Sequence, residues 1–182
     1  MSIYTKNGDD GKSSLNIDSN RLDKDSLVFE VMGTLDELNA HLGYLNTTDV
    51  EDVSHIIPDI QKDLLYIGSL ISQNKCKEHH GEKLKTRVVE LERLIDFFES
   101  RNPPLSNFIL PGGSKDSSRL HVARAVCRRA ERLLVKYSKT QTFSIDCMIT
   151  YVNRLSDLLF SAARYVNKSQ GYNDVIWRAS DI

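Results

Sequence analysis

Proline is scarce in this chain of 182 residues, occurring only as Pro58, Pro103, Pro104 and Pro111. Nothing elsewhere removes a backbone N–H, so long helices are free to form almost everywhere. Cysteine is scarcer: Cys76, Cys127 and Cys147 are odd in number, widely spaced and without a CxxC pair. That excludes a disulfide framework and a cysteine zinc site, and suits a reducing compartment. No apolar run approaches the roughly 20 residues that span a bilayer. Charge of one sign is not in surplus either, since 24 Lys and Arg oppose 25 Asp and Glu. A net charge of -1 argues against a dedicated nucleic-acid binder and leaves room for a local basic site. No Ser-His-Asp set is legible. No targeting segment is visible, because Ile3 and Tyr4 lead directly into the first motif. The expected location is cytoplasmic, or the mitochondrial matrix if a presequence has been removed.

What the chain does contain is helical periodicity. A hydrophobic share of 40% over this length suits one domain, residues 1–182, with a proper core. From Ser26 to about Asn46, apolar residues recur at Val28, Val31, Leu35, Leu38, Leu42 and Leu45. The same spacing predicts helices over about 52–73, 82–100, 114–137 and 144–168. Pro58 falls in the first turns of the second, Asn102-Pro103-Pro104 stops the third, and Ser114 is placed to cap the fourth. No convincing strand pair is visible. The fold class is therefore all-α, a five-helix up-down bundle.

Near the N-terminus, Gly8-Asp9-Asp10-Gly11-Lys12-Ser13 has the look of a phosphate-binding loop. It is not a Walker A loop: Lys6 stands where the first glycine belongs, and neither the preceding strand nor the following helix is there.

The fourth helix carries the strongest chemical signal. Leu120, Ala123, Cys127, Ala130 and Leu134 share one face, while Arg124, Arg128 and Arg132 stack at i, i+4 and i+8 on another, with His121 beside them. Like charges at that spacing repel by a few tenths of a kcal/mol per pair, yet Glu131 is the only acid between Leu120 and Val135. The surplus cation implies an outside anion, a phosphate or a carboxylate from another element, unless the face is simply solvated or paired internally. In the first helix, Asp36 is flanked by the small residues Gly33, Ala40 and Gly43, which suits either a free surface acid or close packing of a second subunit. In the fifth, the stripe Asn153, Asp157, Phe160 and Arg164 is either a buried network or a ligand site. Phe108, in a loop ending at Gly112-Gly113, either anchors that loop or lines a pocket. Cys76-Lys77-Glu78-His79-His80 is polar link rather than metal site, because adjacent histidines share no helical face.

Four ordered blocks resemble the PduO-type ATP:cob(I)alamin adenosyltransferases over nearly the whole chain. They are Tyr4 to Gly11 (YTKNGDDG), Gly33 to Asn39 (GTLDELN), Phe108 to Arg132 (FILPGG…LHVARAVCRRAER) and Asn153 to Phe160 (NRLSDLLF). The resemblance implies a homotrimer with interfacial sites that moves the 5′-deoxyadenosyl group of ATP to Co(I) of a reduced corrinoid. It implies ATP contacts from Thr5, Lys6, Asn7, Gly8, Ser13, Ser14 and Lys24, completed by Arg128, Arg129, Ala130, Glu131, Arg132 and Asn153. Asp36 and Arg124 would pair across subunits beside the corrinoid, and Phe108 would cover its lower face. Mg²⁺ would accompany ATP, with Glu131 a candidate contact. The alternative is a corrinoid and ATP carrier or sensor of the same fold with little turnover. Asn7, where many relatives have Thr, keeps a polar group at that contact. A strap without a helix of its own is expected to be disordered in the absence of ATP.

Overall fold

The periodic apolar stripes become helices with buried faces. In the computed structural model, which describes residues 4, 6–15, 20–74 and 76–178, α1 runs Leu27–Gly43 and buries Val31, Leu35, Leu38 and Leu42. Its last turn tightens into a 3₁₀ segment, Tyr44–Thr47. The second predicted helix is divided into α2, Glu51–Ser54, and α3, Ile57–Ser72. Pro58 explains the break, since its ring opposes helix continuing from the preceding turn yet suits the first turn of a new one. α4 spans Glu78–Glu99 and starts earlier than the apolar pattern predicts. His80 Nδ1 accepts the Lys77 N–H at 3.1 Å and closes that first turn, so Glu78, His79 and His80 are helix rather than link.

α5, Lys115–Ser138, is capped by Ser114, whose hydroxyl accepts the Ser117 N–H at 3.2 Å as expected. α6, Asp146–Ser169, is the most deeply buried helix, with Leu155, Leu158, Leu159 and Ala163 at the centre of the core. Around the bundle α3 packs on α1, α1 on α5, α5 on α6 and α6 on α4. Asp63 of α3 ties the remaining side, accepting from Arg87 Nε of α4 and the Tyr151 hydroxyl of α6, each at 2.7 Å.

Two antiparallel strand pairs, invisible in the periodicity, complete the chain. β1, Lys12–Ser13, pairs with β2, Leu22–Asp23; β3, Ile109–Leu110, pairs with β4, Val175–Ile176. Each is two residues a side, too short to leave an alternating pattern. Both lie where the sequence places functional loops.

Candidate active site

The strap is a hairpin organised by Arg21. Its guanidinium donates to both Asp10 oxygens at 2.8 and 2.5 Å, to the Lys12 carbonyl at 3.1 Å, and to the Asn7 carbonyl. The hydrogen bond from Arg21 holds the Asp10 carboxyl below the usual carboxylate range. Asp10 in turn accepts the Lys12 N–H at 3.2 Å, so this aspartate fixes the loop's own turn. Lys24 Nζ donates to the Gly8 carbonyl at 2.6 Å. Lys6, Asn7, Gly8, Ser13, Ser14 and Lys24 are thus gathered on one hairpin, while Thr5 lies outside the described residues. Gly11, at φ 78°, makes the left-handed turn that a side chain would oppose.

On α5 the arginines divide by role. Arg129 pairs with Glu37 of α1, and Ala130 is fully buried as a packing methyl between helices. Arg124, Arg128 and Arg132 form no ion pair among the described residues. Arg128 lines a small polar cleft of about 240 Å³ between α5 and α6, shared with Arg124, Ser156 and Phe160. Glu131 and Asn153 meet directly, the Asn153 amide donating to Glu131 Oε1 at 2.8 Å. The charge pattern that implied an outside anion is therefore left unneutralised at Arg124, Arg128 and Arg132, and neutralised at Arg129.

A larger cleft of about 1060 Å³ adjoins the first, and Arg124 and Phe160 line both. Its walls include Phe108, His121 and Trp177. Phe108 is 80% exposed, so it lines a pocket and does not anchor its loop in the core. The loop is held by its backbone instead: the Trp177 N–H donates to the Phe108 carbonyl at 2.8 Å, and the two rings meet edge to face at 6.4 Å. Gly113 (φ +103°) lets Ser114 N–H reach Asn167 Oδ1 at 2.9 Å, while Asn167 Nδ2 donates to the Gly112 carbonyl at 2.9 Å.

Arg124 sits partly buried, its guanidinium 6.0 Å from the Phe160 ring centroid and its Nε without a partner among the described residues. Burial, then the neighbouring Arg128 cation, lower its pKa from the usual arginine value. His121, one turn earlier, packs edge to face on Phe160 at 6.1 Å, and both ring nitrogens are buried without a partner among the described residues. The polar stripe of α6 divides between both readings. Arg164 is a buried tie, donating to Asp174 at 2.8 Å and to the Pro103 carbonyl at 2.7 Å, whereas Phe160 faces the clefts. Asp157 pairs with Arg154 at 3.1 Å and, with Glu99, adds an acid to the lining of the small cleft beside Arg128.

Asp36 stands elsewhere, on the rim of an apolar cleft of about 570 Å³ between α1 and α3. Among the described residues, the cleft that Asp36 lines is distinct from the two that Arg124 lines. Arg21 and Trp177 escaped sequence reasoning because they stand in segments without a motif and their partners lie nine or more residues away. His121 was visible beside the arginines, but nothing in its spacing marked its nitrogens as unpaired.

No group of three or more His, Cys, Asp or Glu side chains is placed to hold a metal among the described residues. A single carboxylate, Glu131, with one oxygen occupied by Asn153, fits a Mg²⁺ that arrives on phosphate oxygens and keeps most of its water.

Comparison with known proteins agrees over the length of the chain. The family description "Cobalamin adenosyltransferase" matches residues 3–166. The corrinoid adenosyltransferase of Bacillus subtilis is 40% identical over 188 residues, covering 100% of this chain and 95% of that protein. The human corrinoid adenosyltransferase MMAB is 39% identical, covering 98% of this chain and 74% of its own length. Among solved structures, a variant PduO-type ATP:corrinoid adenosyltransferase from Lactobacillus reuteri, complexed with cobalamin and ATP, superposes with a TM-score of 0.85. It is 34% identical, and the match covers 97% of this chain and 99% of that one.

Proposed function

Because this chain belongs to the cobalamin adenosyltransferase family, we propose that it transfers the 5′-deoxyadenosyl group of ATP to Co(I) of a reduced corrinoid. The Co(I) electron pair attacks C5′, the Co–C bond forms, the C5′–O bond breaks, and its electrons leave with triphosphate. Co(I) is itself a strong nucleophile, so the protein's task is in-line placement and neutralisation of the leaving group. The observation that carries this reading is the junction of the two clefts. A small cleft with Arg128, which forms no ion pair among the described residues, opens beside a large aromatic one, and Arg124 and Phe160 form the shared wall.

In this arrangement Arg128 and Arg132 receive the triphosphate, the strap closes over it through Lys6, Asn7, Gly8 and Ser13, and Asn153 with Glu131 orients the arginine edge. Glu131 would help to hold a Mg²⁺ brought with ATP, and the ion would supply further neutralisation of the departing charge. Phe108 lies against the lower face of the corrin and excludes an axial ligand, which eases reduction of Co(II). We assign the working assembly as a homotrimer in which Asp36 of one subunit pairs with Arg124 of the next. A cytoplasmic setting accords with three free thiols.

Anaerobic mixing with ATP and chemically reduced cobalamin tests the activity. The spectrum of adenosylcobalamin should appear with equimolar triphosphate. Tight binding of both substrates without triphosphate release would make the protein a carrier instead. Phe108→Ala should slow turnover from Co(II) far more than from free Co(I), and equal slowing would remove the ligand-exclusion role.

A further inference from the structure

The three thiols of the chain stand in two different settings. Cys127 is fully buried in α5, where its Sγ donates to the Val152 carbonyl at 3.2 Å and burial pushes its pKa up. It is a core hydrophobe out of reach of solvent. Cys76 and Cys147, 71 residues apart in the chain, are both half-buried, and their sulfurs stand 3.9 Å apart. The fold sets both ends of this contact. Asn74 leaves α3 through a left-handed turn at φ 50°, the Lys77 N–H closes onto His80 Nδ1 to start α4, and Cys76 stands between them outside any helix. Cys147 is held in the first turn of α6. A disulfide needs the sulfurs about 2 Å apart, and rotation of the Cys76 side chain on its non-helical backbone can supply the approach. Neither thiol lines the clefts of the candidate active site, so the chemistry of those clefts leaves the pair unused.

We propose that Cys76 and Cys147 are a redox modification site, oxidised by a hydroperoxide to an intramolecular disulfide and returned to thiols by a small dithiol. Cys76 Sγ attacks the peroxide, the O–O bond breaks, one water leaves, and Cys76 becomes a sulfenic acid. Cys147 Sγ then attacks Cys76 Sγ, the S–S bond forms, and the S–O bond breaks. The hydroxyl departs with the Cys147 proton as a second water. The two thiols give up two electrons and two protons, and the peroxide takes both. Their surroundings set this order. Burial first, and then Cys76, push the Cys147 thiol up to about 11, so Cys147 stays protonated while Cys76, on the link, meets the oxidant. The new bond joins the α3–α4 link to α6 and staples one end of the bundle across 71 residues. The site works independently of whatever the clefts bind.

The full-length protein, first reduced, is treated with hydrogen peroxide, and its thiols are counted after denaturation. Wild type should pass from three titratable thiols to one, with an intact mass lower by two hydrogens. Peptide mapping should find Cys76 joined to Cys147, and a non-reducing gel should show no new dimer. Dithiothreitol should restore all three thiols. Closing a loop of this length should raise the thermal midpoint of the oxidised protein by about 5–10 °C. Cys76→Ser and Cys147→Ser should each lose both the cross-link and the rise, whereas Cys127→Ala should keep the cross-link. Three thiols surviving peroxide, oxygen adducts without a cross-link, a disulfide between chains or one that includes Cys127 overturns the proposal. A Cys76–Cys147 bond that leaves the thermal midpoint where it was would overturn the staple.

Discussion

Gly113 shows how much a single residue governs the aromatic cleft. A Cβ there would stand 2.3 Å from Asn167 Oδ1, on a backbone already at φ +103°. Gly113→Ala should therefore cost about 2–3 kcal/mol and displace the Phe108 loop, read as a lower thermal midpoint together with weakened corrinoid binding. His121 predicts a pH effect. Burial first, and the Arg124 cation on the same helix second, pull its pKa from 6.5 to about 4, while Asp174 of the tail acts weakly the other way. The unfolded chain then binds more protons than the folded one between those values. Stability is unaffected above pH 6.5, falls as pH drops toward 4, and the penalty is complete below. At about pH 5 it amounts to about 2 kcal/mol relative to neutrality, and His121→Leu should remove that part of the slope in urea melts. At this scale legibility followed the physics of like charges. Arg124, Arg128 and Arg132 could be singled out because repulsion at i, i+4 is unfavourable whatever the fold, whereas the Asn167–Gly112 clamp joins positions 55 apart and leaves no local trace.

At the scale of elements, the strap repays comparison with the helices. Helix existence was readable from apolar spacing, but boundaries shifted wherever a backbone group found a local partner, as at His80, or lost one, as at Pro58. The strap had no periodicity to read, and its hairpin depends on one side chain, Arg21, set in a stretch with no motif. Arg21→Ala should leave the bundle's thermal midpoint nearly unchanged, since the guanidinium is exposed. It should raise the KM for ATP about tenfold and remove hydrogen-exchange protection at Lys12 and Lys24. Retained protection with normal ATP kinetics would show that the turn holds without Arg21. The opposite behaviour is expected on the far side of the bundle. Asp63 is buried and takes hydrogen bonds from Arg87 and Tyr151, so Asp63→Ala strands both donors. A loss of about 3 kcal/mol in chemical denaturation is expected there, with the KM for ATP unaltered.

Over the whole molecule the two candidate halves of the corrinoid site, Asp36 and Arg124, open onto separate clefts, which is the geometry a subunit-spanning site requires. The apolar groove beside Asp36, with Met32, Gly33, Leu65 and Gly68 on its walls, has the small-residue surface that lets another helix approach closely. Leu65 is 64% exposed on it, an apolar side chain that a neighbouring subunit would cover. Arg124, partly buried with no ion pair among the described residues, is the complementary charge that such a neighbour would meet. If this pairing is made across subunits, Asp36→Asn leaves Arg124 without its counter-charge while preserving shape. Sedimentation should then give wild type a mass near three times the 20.7 kDa of one chain, and the variant a shift toward smaller species at micromolar concentration. Cobalamin binding should weaken in the same variant about tenfold or more, because a desolvated charge is left unpaired at the rim of the cleft. A variant that sediments and binds like wild type would place Asp36 outside the interface and remove it as the partner of Arg124.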